Sequence, residues 1–283
     1  MFDFILFPVS AILWFWHKVF GAALGPENGF AWALAVVFLV FTLRVLLIKP
    51  ALSQVRAAHA ARKLAPQIAK LRQKHRDDRQ KLAQEIQKLH ADNGSSMFGG
   101  CLPALLQIPV FLSLYWVLRG FTPDARSNQI FDRAGVESFL NAEVFGAKLG
   151  NWLSQSTTEL AAFGTDRAHM IGVGVPLMVI AGTATFLAMW LSQRRHSTAD
   201  ANPQMAGVTK AMMYLAPVGV LVSGSFFPVP IAVLVYFLAH NIWTLGQQHV
   251  LTNVVERAAA REEATRVRVK AVAPRPGQKP KRR

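Results

Sequence analysis

The sequence predicts an all-α, polytopic membrane protein: five transmembrane helices with a cytoplasmic helical hairpin. Three observations carry this. Of 283 residues, 52% are hydrophobic, the mean hydropathy is +0.26, and the apolar residues are gathered into blocks. The blocks fall at 29–48, 98–119, 170–191, 208–227 and 228–248, each close to the ~20 residues that cross a hydrocarbon core. They do not alternate in hydropathy as barrel strands would. The third observation is how the net charge of +15 is distributed. Segments 49–97, 192–210 and 251–283 hold 11, 3 and 10 Lys and Arg, against 1 in segment 1–28 and 4 in segment 120–169. Five spans place the rich segments on one side, and the positive-inside rule makes that side cytoplasmic, with the N-terminus outside and the C-terminus inside.

Residues 1–28 begin with FDFILFPVSAILWFWHKVF. The first charge is Asp3 and no small-residue cleavage site follows, so a signal peptide is not expected. The expectation is an outer interfacial helix, with a sixth short span as the alternative. Span 29–48 ends at Lys49 and Pro50. Segment 49–97 is a cytoplasmic hairpin: Leu64, Ile68 and Leu71 form one helical stripe and Leu82, Ile86 and Leu89 another. Asp77 and Asp78 can cap the second arm, Asn93-Gly94 ends it, and Pro66 is expected to bend the first. Span 98–119 carries Pro103, Gln107 and Pro109. Segment 120–169, with six acids and four bases, reads as an extracytoplasmic loop with short helical pieces. Span 170–191, a cytoplasmic connection over 192–207 and span 208–227 follow. Pro228 and Pro230 bracket a tight turn into span 228–248, and tail 249–283 starts helical and ends disordered as PRPGQKPKRR.

Arg44 stands inside the apolar run FAWALAVVFLVFTLRVLLI. A central Arg costs a spanning helix about 2.5–3.5 kcal/mol on insertion scales. It lies four residues before Ile48, near enough to the end of the span to snorkel to the headgroups. The alternative is a wet cavity. The other spans hold no Asp or Glu, so an inward-facing Arg44 needs water, backbone carbonyls or an acidic guest. Gln107 can line the same cavity or bond a neighbouring helix. Tyr236, His240 and Asn241 are the polar points of the last span, and a lone His there reads first as a packing residue. No catalytic residue, metal site or cofactor motif is expected: there is no phosphate-binding glycine loop and no HExxH. The basic tail suits RNA phosphates or anionic lipids, or serves only to fix topology.

An Arg-bearing span ends in Arg-x-x-x-x-x-Pro. A basic hairpin contains Leu64-Ala65-Pro66-Gln67-Ile68. Gly99-Gly100-Cys101-Leu102-Pro103 runs on to Leu106-Gln107-Ile108-Pro109-Val110-Phe111. Phe227-Pro228 precedes a Tyr-bearing span ending with Asn241, Gln247 and Gln248. This pattern resembles the YidC-type membrane protein insertases over about residues 1–255, in the shorter Gram-positive form and with an actinobacterial look. The resemblance implies a hydrophilic groove open to cytoplasm and lipid, with Arg44 inside it and Thr42 nearby, where relatives often carry a hydroxyl residue at the position of Val40. It implies that Ile108, Phe111, Tyr236 and Phe237 line the path of nascent membrane proteins, the substrates. The hairpin would receive them, the basic tail and hairpin would contact ribosomes, and the Sec translocon would be a further partner. The localisation it implies is the bacterial cell membrane. The competing class is a secondary transporter or channel, which would place ionisable relays at mid-membrane and often show inverted repeats.

Overall fold

The computed structural model describes residues 3–93, 102–195 and 203–272. Helix α1 spans Asp3–Leu24, α2 Gly29–Leu46, α3 Ile48–Lys74, α4 Arg79–Asp92 and α5 Leu102–Arg119. Between α5 and α8 lie α6 (Arg133–Asn141), the strands β1 (Glu143–Val144) and β2 (Ala147–Lys148), and α7 (Thr157–Ala162). Then come α8 (Arg167–Arg195), α9 (Pro203–Phe226) and α10 (Ile231–Val272). Helix α2 lies between α1 and α10, α10 also packs on α8, and α9 packs on α8.

Among the described residues three stretches are long and apolar enough to cross a membrane, Phe4–Leu24, Gly29–Leu46 and Arg167–Arg194, and Lys210–Phe226 is a shorter apolar helix. Residues 1–28, expected to hold an outer interfacial helix or else a sixth short span, carry α1, which has the length of a span. Its buried positions recur every four residues, at Val9, Leu13, His17 and Gly21. Phe4, Phe7, Trp14 and Phe15 stay exposed on other faces. The buried stripe meets the segment between α5 and α8: the Ser10 hydroxyl accepts from the Ile130 amide at 3.4 Å, and Val9, Leu13, Phe131 and Phe139 share one core.

Gly25 ends α1 at φ +99°, a conformation open to glycine. Asn28 then caps α2, its Oδ1 accepting from the Phe30 amide at 2.8 Å. Positions 31, 32, 35, 36, 39 and 40 form the buried face of α2, the spacing of a helix with one side against a core. Trp32 is at its centre. Its ring stacks on His17 at 3.8 Å and meets Phe139, Phe131 and Phe121 at 4.9, 5.4 and 5.7 Å. Its Nε1 donates to Ser138 Oγ at 3.1 Å, and that hydroxyl donates to the Pro26 carbonyl at 2.6 Å.

Only Leu47, at φ −91° and ψ 13°, separates α2 from α3. Pro50 falls in the first turn of α3, where a missing N–H costs no intrahelical bond, and the helix continues past Pro66. Asp78 caps α4 by accepting from the Lys81 amide at 2.9 Å, one of the two caps anticipated. The end of the hairpin at 94–97 and the Gly99-Gly100-Cys101 stretch lie outside the described residues. Leu64 is buried, whereas Leu82, Ile86 and Leu89 are only half-buried. Amide exchange over Leu82–Leu89 is therefore expected to be faster than over Trp32–Val40, because few apolar contacts hold α4. Hydrogen exchange in detergent or nanodisc measures this, and equal protection of the two segments would overturn it.

The segment between α5 and α8 is a small folded layer. In α7 a capping box joins Ser156 and Glu159: the Ser156 amide and hydroxyl both donate to Glu159 Oε2, at 3.1 and 2.8 Å. These bonds hold the Glu159 carboxyl below its ordinary pKa. Arg167 donates to the carbonyls of Leu153 and Gln155 at 3.1 and 2.6 Å, tying the layer to the start of α8.

Candidate functional site

Arg44 is in the last turn of α2, on the side that faces α10. Phe41, one turn earlier, meets Trp243 of α10 at 5.0 Å. The guanidinium Nη2 donates to the imidazole of His240, with Nδ1 and Nε2 at 3.0 and 2.8 Å, and to Thr244 Oγ1 at 3.0 Å. Whichever imidazole nitrogen carries no proton is the acceptor. Arg44 Nε is buried and has no hydrogen-bond partner among the described residues. Among the described residues no carboxylate pairs with Arg44: the acids in recorded ion pairs are Glu256, Glu137, Glu143 and Asp166, all with other partners. The cation therefore sits half-buried between two helices, held by neutral groups through one nitrogen, with another donor unspent.

One turn from His240 toward the start of α10, Tyr236 is almost fully buried, and its ring lies 5.8 Å from the imidazole. Gln107 Nε2 of α5 donates to its hydroxyl. Phe111 packs on Tyr236 at 5.7 Å and on Phe237 at 5.4 Å. Gln107 and Phe111 share one face of α5, continued by Tyr115. The next face presents Ile108, Leu112 and Trp116, which are 54%, 44% and 61% exposed. A polar line thus runs from Gln107 through Tyr236 and His240 to Arg44 and Thr244, beside an exposed apolar stripe on α5.

Of the residues singled out from the sequence, Gln107, Phe111, Tyr236 and Phe237 are brought together, and Arg44 joins them through His240. Ile108 lies on the adjoining exposed face. Thr42 is not part of this group: its hydroxyl donates to the Phe38 carbonyl at 2.8 Å and accepts from Trp16 Nε1 of α1 at 2.9 Å. Two residues on a helix are separated by about 200°, so Thr42 and Arg44 face opposite neighbours. His240 and Thr244 are partners that the sequence reading did not assign to Arg44. Tyr236, His240 and Thr244 recur every four residues, a polar stripe within an apolar helix, and that period was the signal available.

Apolar helices long enough to span, a small folded layer at one end and a half-satisfied cation between two helices define a multi-pass helical membrane protein. Residues 24–258 match the family described as 60Kd inner membrane protein, and the chain belongs to that family. It is 44% identical to the membrane protein insertase YidC of Mycolicibacterium paratuberculosis, the match covering 99% of this chain and 84% of the relative. Against the membrane protein insertase YidC of Mycobacterium tuberculosis H37Rv the identity is 44%, over 99% of this chain and 81% of the relative. The protein of the same name from Streptomyces avermitilis is 31% identical over 89% of this chain, which covers 59% of that relative's length. The family and the actinobacterial character anticipated from the motifs are those found.

Proposed function

We propose that this protein is a membrane protein insertase of the cell membrane, in which a guest's short polar segment enters between α2, α5 and α10 while its apolar segment moves along α5 into lipid. The observation that carries this reading is Arg44 itself: a half-buried cation with neutral partners and a spare buried donor at Nε. In a poorly solvated site an acidic group on the guest is attracted far more strongly than in water. The polar line from Gln107 to Thr244 offers hydrogen-bond partners to a segment that would otherwise be desolvated without compensation. Burial of the guest's apolar part then drives the polar part across, with no nucleotide or metal chemistry.

In this reading the chain has five spans, 29–48, 98–119, 170–191, 208–227 and 228–248. Hairpin 49–97 and tail 249–283 are cytoplasmic and segment 120–169 is outside. Helix α1 is the outer interfacial helix: two sites on it, Ser10 and His17, reach residues 130 and 138 of that outer segment, as a helix lying across the layer would. The basic hairpin and tail, by their charge, suit ribosomal RNA and anionic lipids, and the Sec translocon is a further partner of this reading.

The test is reconstitution. Purified protein in lipid vesicles is expected to carry a single-span guest with an acidic polar segment to a protease-protected state, without nucleotide. No gain in protection over protein-free vesicles would overturn the reading.

A further inference from the structure

The two-residue turn that joins β1 to β2 has Phe145 and Gly146 at its centre, both left-handed, at φ +50° and +80°. Such a turn favours Asn-Gly or Asp-Gly. An aromatic residue in the left-handed region is strained, and burial of its side chain could offset that. Phe145 is instead 77% exposed, and among the described residues its one ring contact is Phe30, 46% exposed, edge-on at 5.6 Å.

The hairpin that carries it is held firmly. A Cβ on Gly29 would lie 2.0 Å from the Glu143 carbonyl oxygen, so β1 rests directly on the first residue of α2. A Cβ on Gly146 would lie 2.3 Å from His169 Cδ2, in the first turn of α8. Thr165 Oγ1 donates to the Gly146 carbonyl at 2.7 Å, and Lys148 pairs with Glu143 at 3.3 Å. The turn is thus fixed between the starts of two helices long and apolar enough to span, beside Phe30 of α2 and against His169 of α8.

We infer that Phe145, with Phe30, is a membrane-interface anchor: the turn inserts its ring at the headgroup–acyl boundary of the leaflet on the side of segment 120–169. The occupant of this apolar surface is lipid, because Phe30 continues it directly onto α2, a helix long and apolar enough to span. Aromatic side chains are favoured at that depth, and lipid burial offsets the strain that the protein interior leaves uncompensated. The anchor sets how deep the folded layer sits.

The test uses the full chain in phosphatidylcholine vesicles, with Phe145→Cys in a Cys101→Ala background carrying a fluorescent label, and Thr157→Cys on exposed α7 as the aqueous reference. Lipids spin-labelled at the headgroup and upper acyl chain are expected to quench the label at 145 at least twofold more than at 157, with iodide showing the reverse. Equal iodide quenching at both positions would overturn the proposal and leave a surface for a soluble partner. Because a label replaces the ring, Phe145→Gly and Phe145→Trp are also compared in vesicles. Glycine relieves the strain, so a pure turn residue gives Phe145→Gly a thermal midpoint at or above the wild-type value, which would overturn the anchor. The expected result is a lower midpoint for Gly and retention of the wild-type midpoint for Trp.

Discussion

Arg44→Ala is expected to slow insertion of guests with acidic polar segments by roughly tenfold or more, a loss of at least ~1.4 kcal/mol. Guests with neutral segments should be affected little. Arg44→Lys should keep most of the activity. The geometry explains the tolerance. His240 and Thr244 both accept from the single nitrogen Nη2, so the planar fork that distinguishes Arg from Lys is not engaged on the protein side. An ammonium can serve both acceptors and still present positive charge. The vesicle assay with folded, equally reconstituted variants decides between outcomes. Full activity of Arg44→Ala with every acidic guest would sink the electrostatic mechanism and leave a snorkelling cation. Loss in both variants would place the recognition in the spare Nε donor, which Lys lacks. Neutralising the guest's own acids should make wild type and Arg44→Ala converge, since two groups acting through one attraction are not independent.

Trp32→Ala should cost the fold about 3–5 kcal/mol, the range for removing a large buried aromatic. The ring is fully buried among His17, Phe121, Phe131 and Phe139, so its loss leaves a cavity bounded by two segments, α1 and the 120–169 layer, that cannot collapse together. Trp32→Phe should cost much less. It keeps most of the ring, and the lost Nε1 donor leaves Ser138 still bonded to the Pro26 carbonyl. Chemical unfolding in detergent measures both. A Trp32→Ala midpoint within about 1 kcal/mol of wild type would mean that this aromatic cluster does not hold α1 and the 120–169 layer to α2.

Trp32 also marks where the sequence was less legible. Apolar blocks and charge asymmetry identify helices by local pattern, and the stripe at Leu64, Ile68 and Leu71 and the cap at Asp78 read directly as α3 and α4 because both signals lie within one or two turns. The layer between α5 and α8 was read only as a loop with short helical pieces. Its β-hairpin has strands of two residues, too short for alternation to register, and a Phe where turn chemistry would put Asn or Asp. The helical start expected for tail 249–283 is found as the continuation of α10 to Val272, where hydropathy falls while helix propensity does not. At the candidate site a lone charge in an apolar run was visible from composition alone. Its partners lie 196 and 200 residues away, and pairing at that distance is set by how α2 packs on α10. Thr42 shows the same limit from the other direction: nearness in sequence suggested the groove, and helix rotation sent its hydroxyl to Trp16.

The joint at Leu47 sits at the base of a long lever. Arm α3 has 27 residues, so at 1.5 Å per residue its contour is about 40 Å. A tilt of ~10° at the joint displaces the far end by about 7 Å, given that rise per residue. Read in reverse, a load of several ångströms at the tip of the hairpin arrives at the joint as a small rotation. The Leu47 amide bonds the Leu43 carbonyl at 3.1 Å and the Leu47 carbonyl accepts from Ala51 at 3.1 Å, so no slack loop absorbs that rotation. The joint lies three residues from Arg44, bonded to the turn that carries the guanidinium.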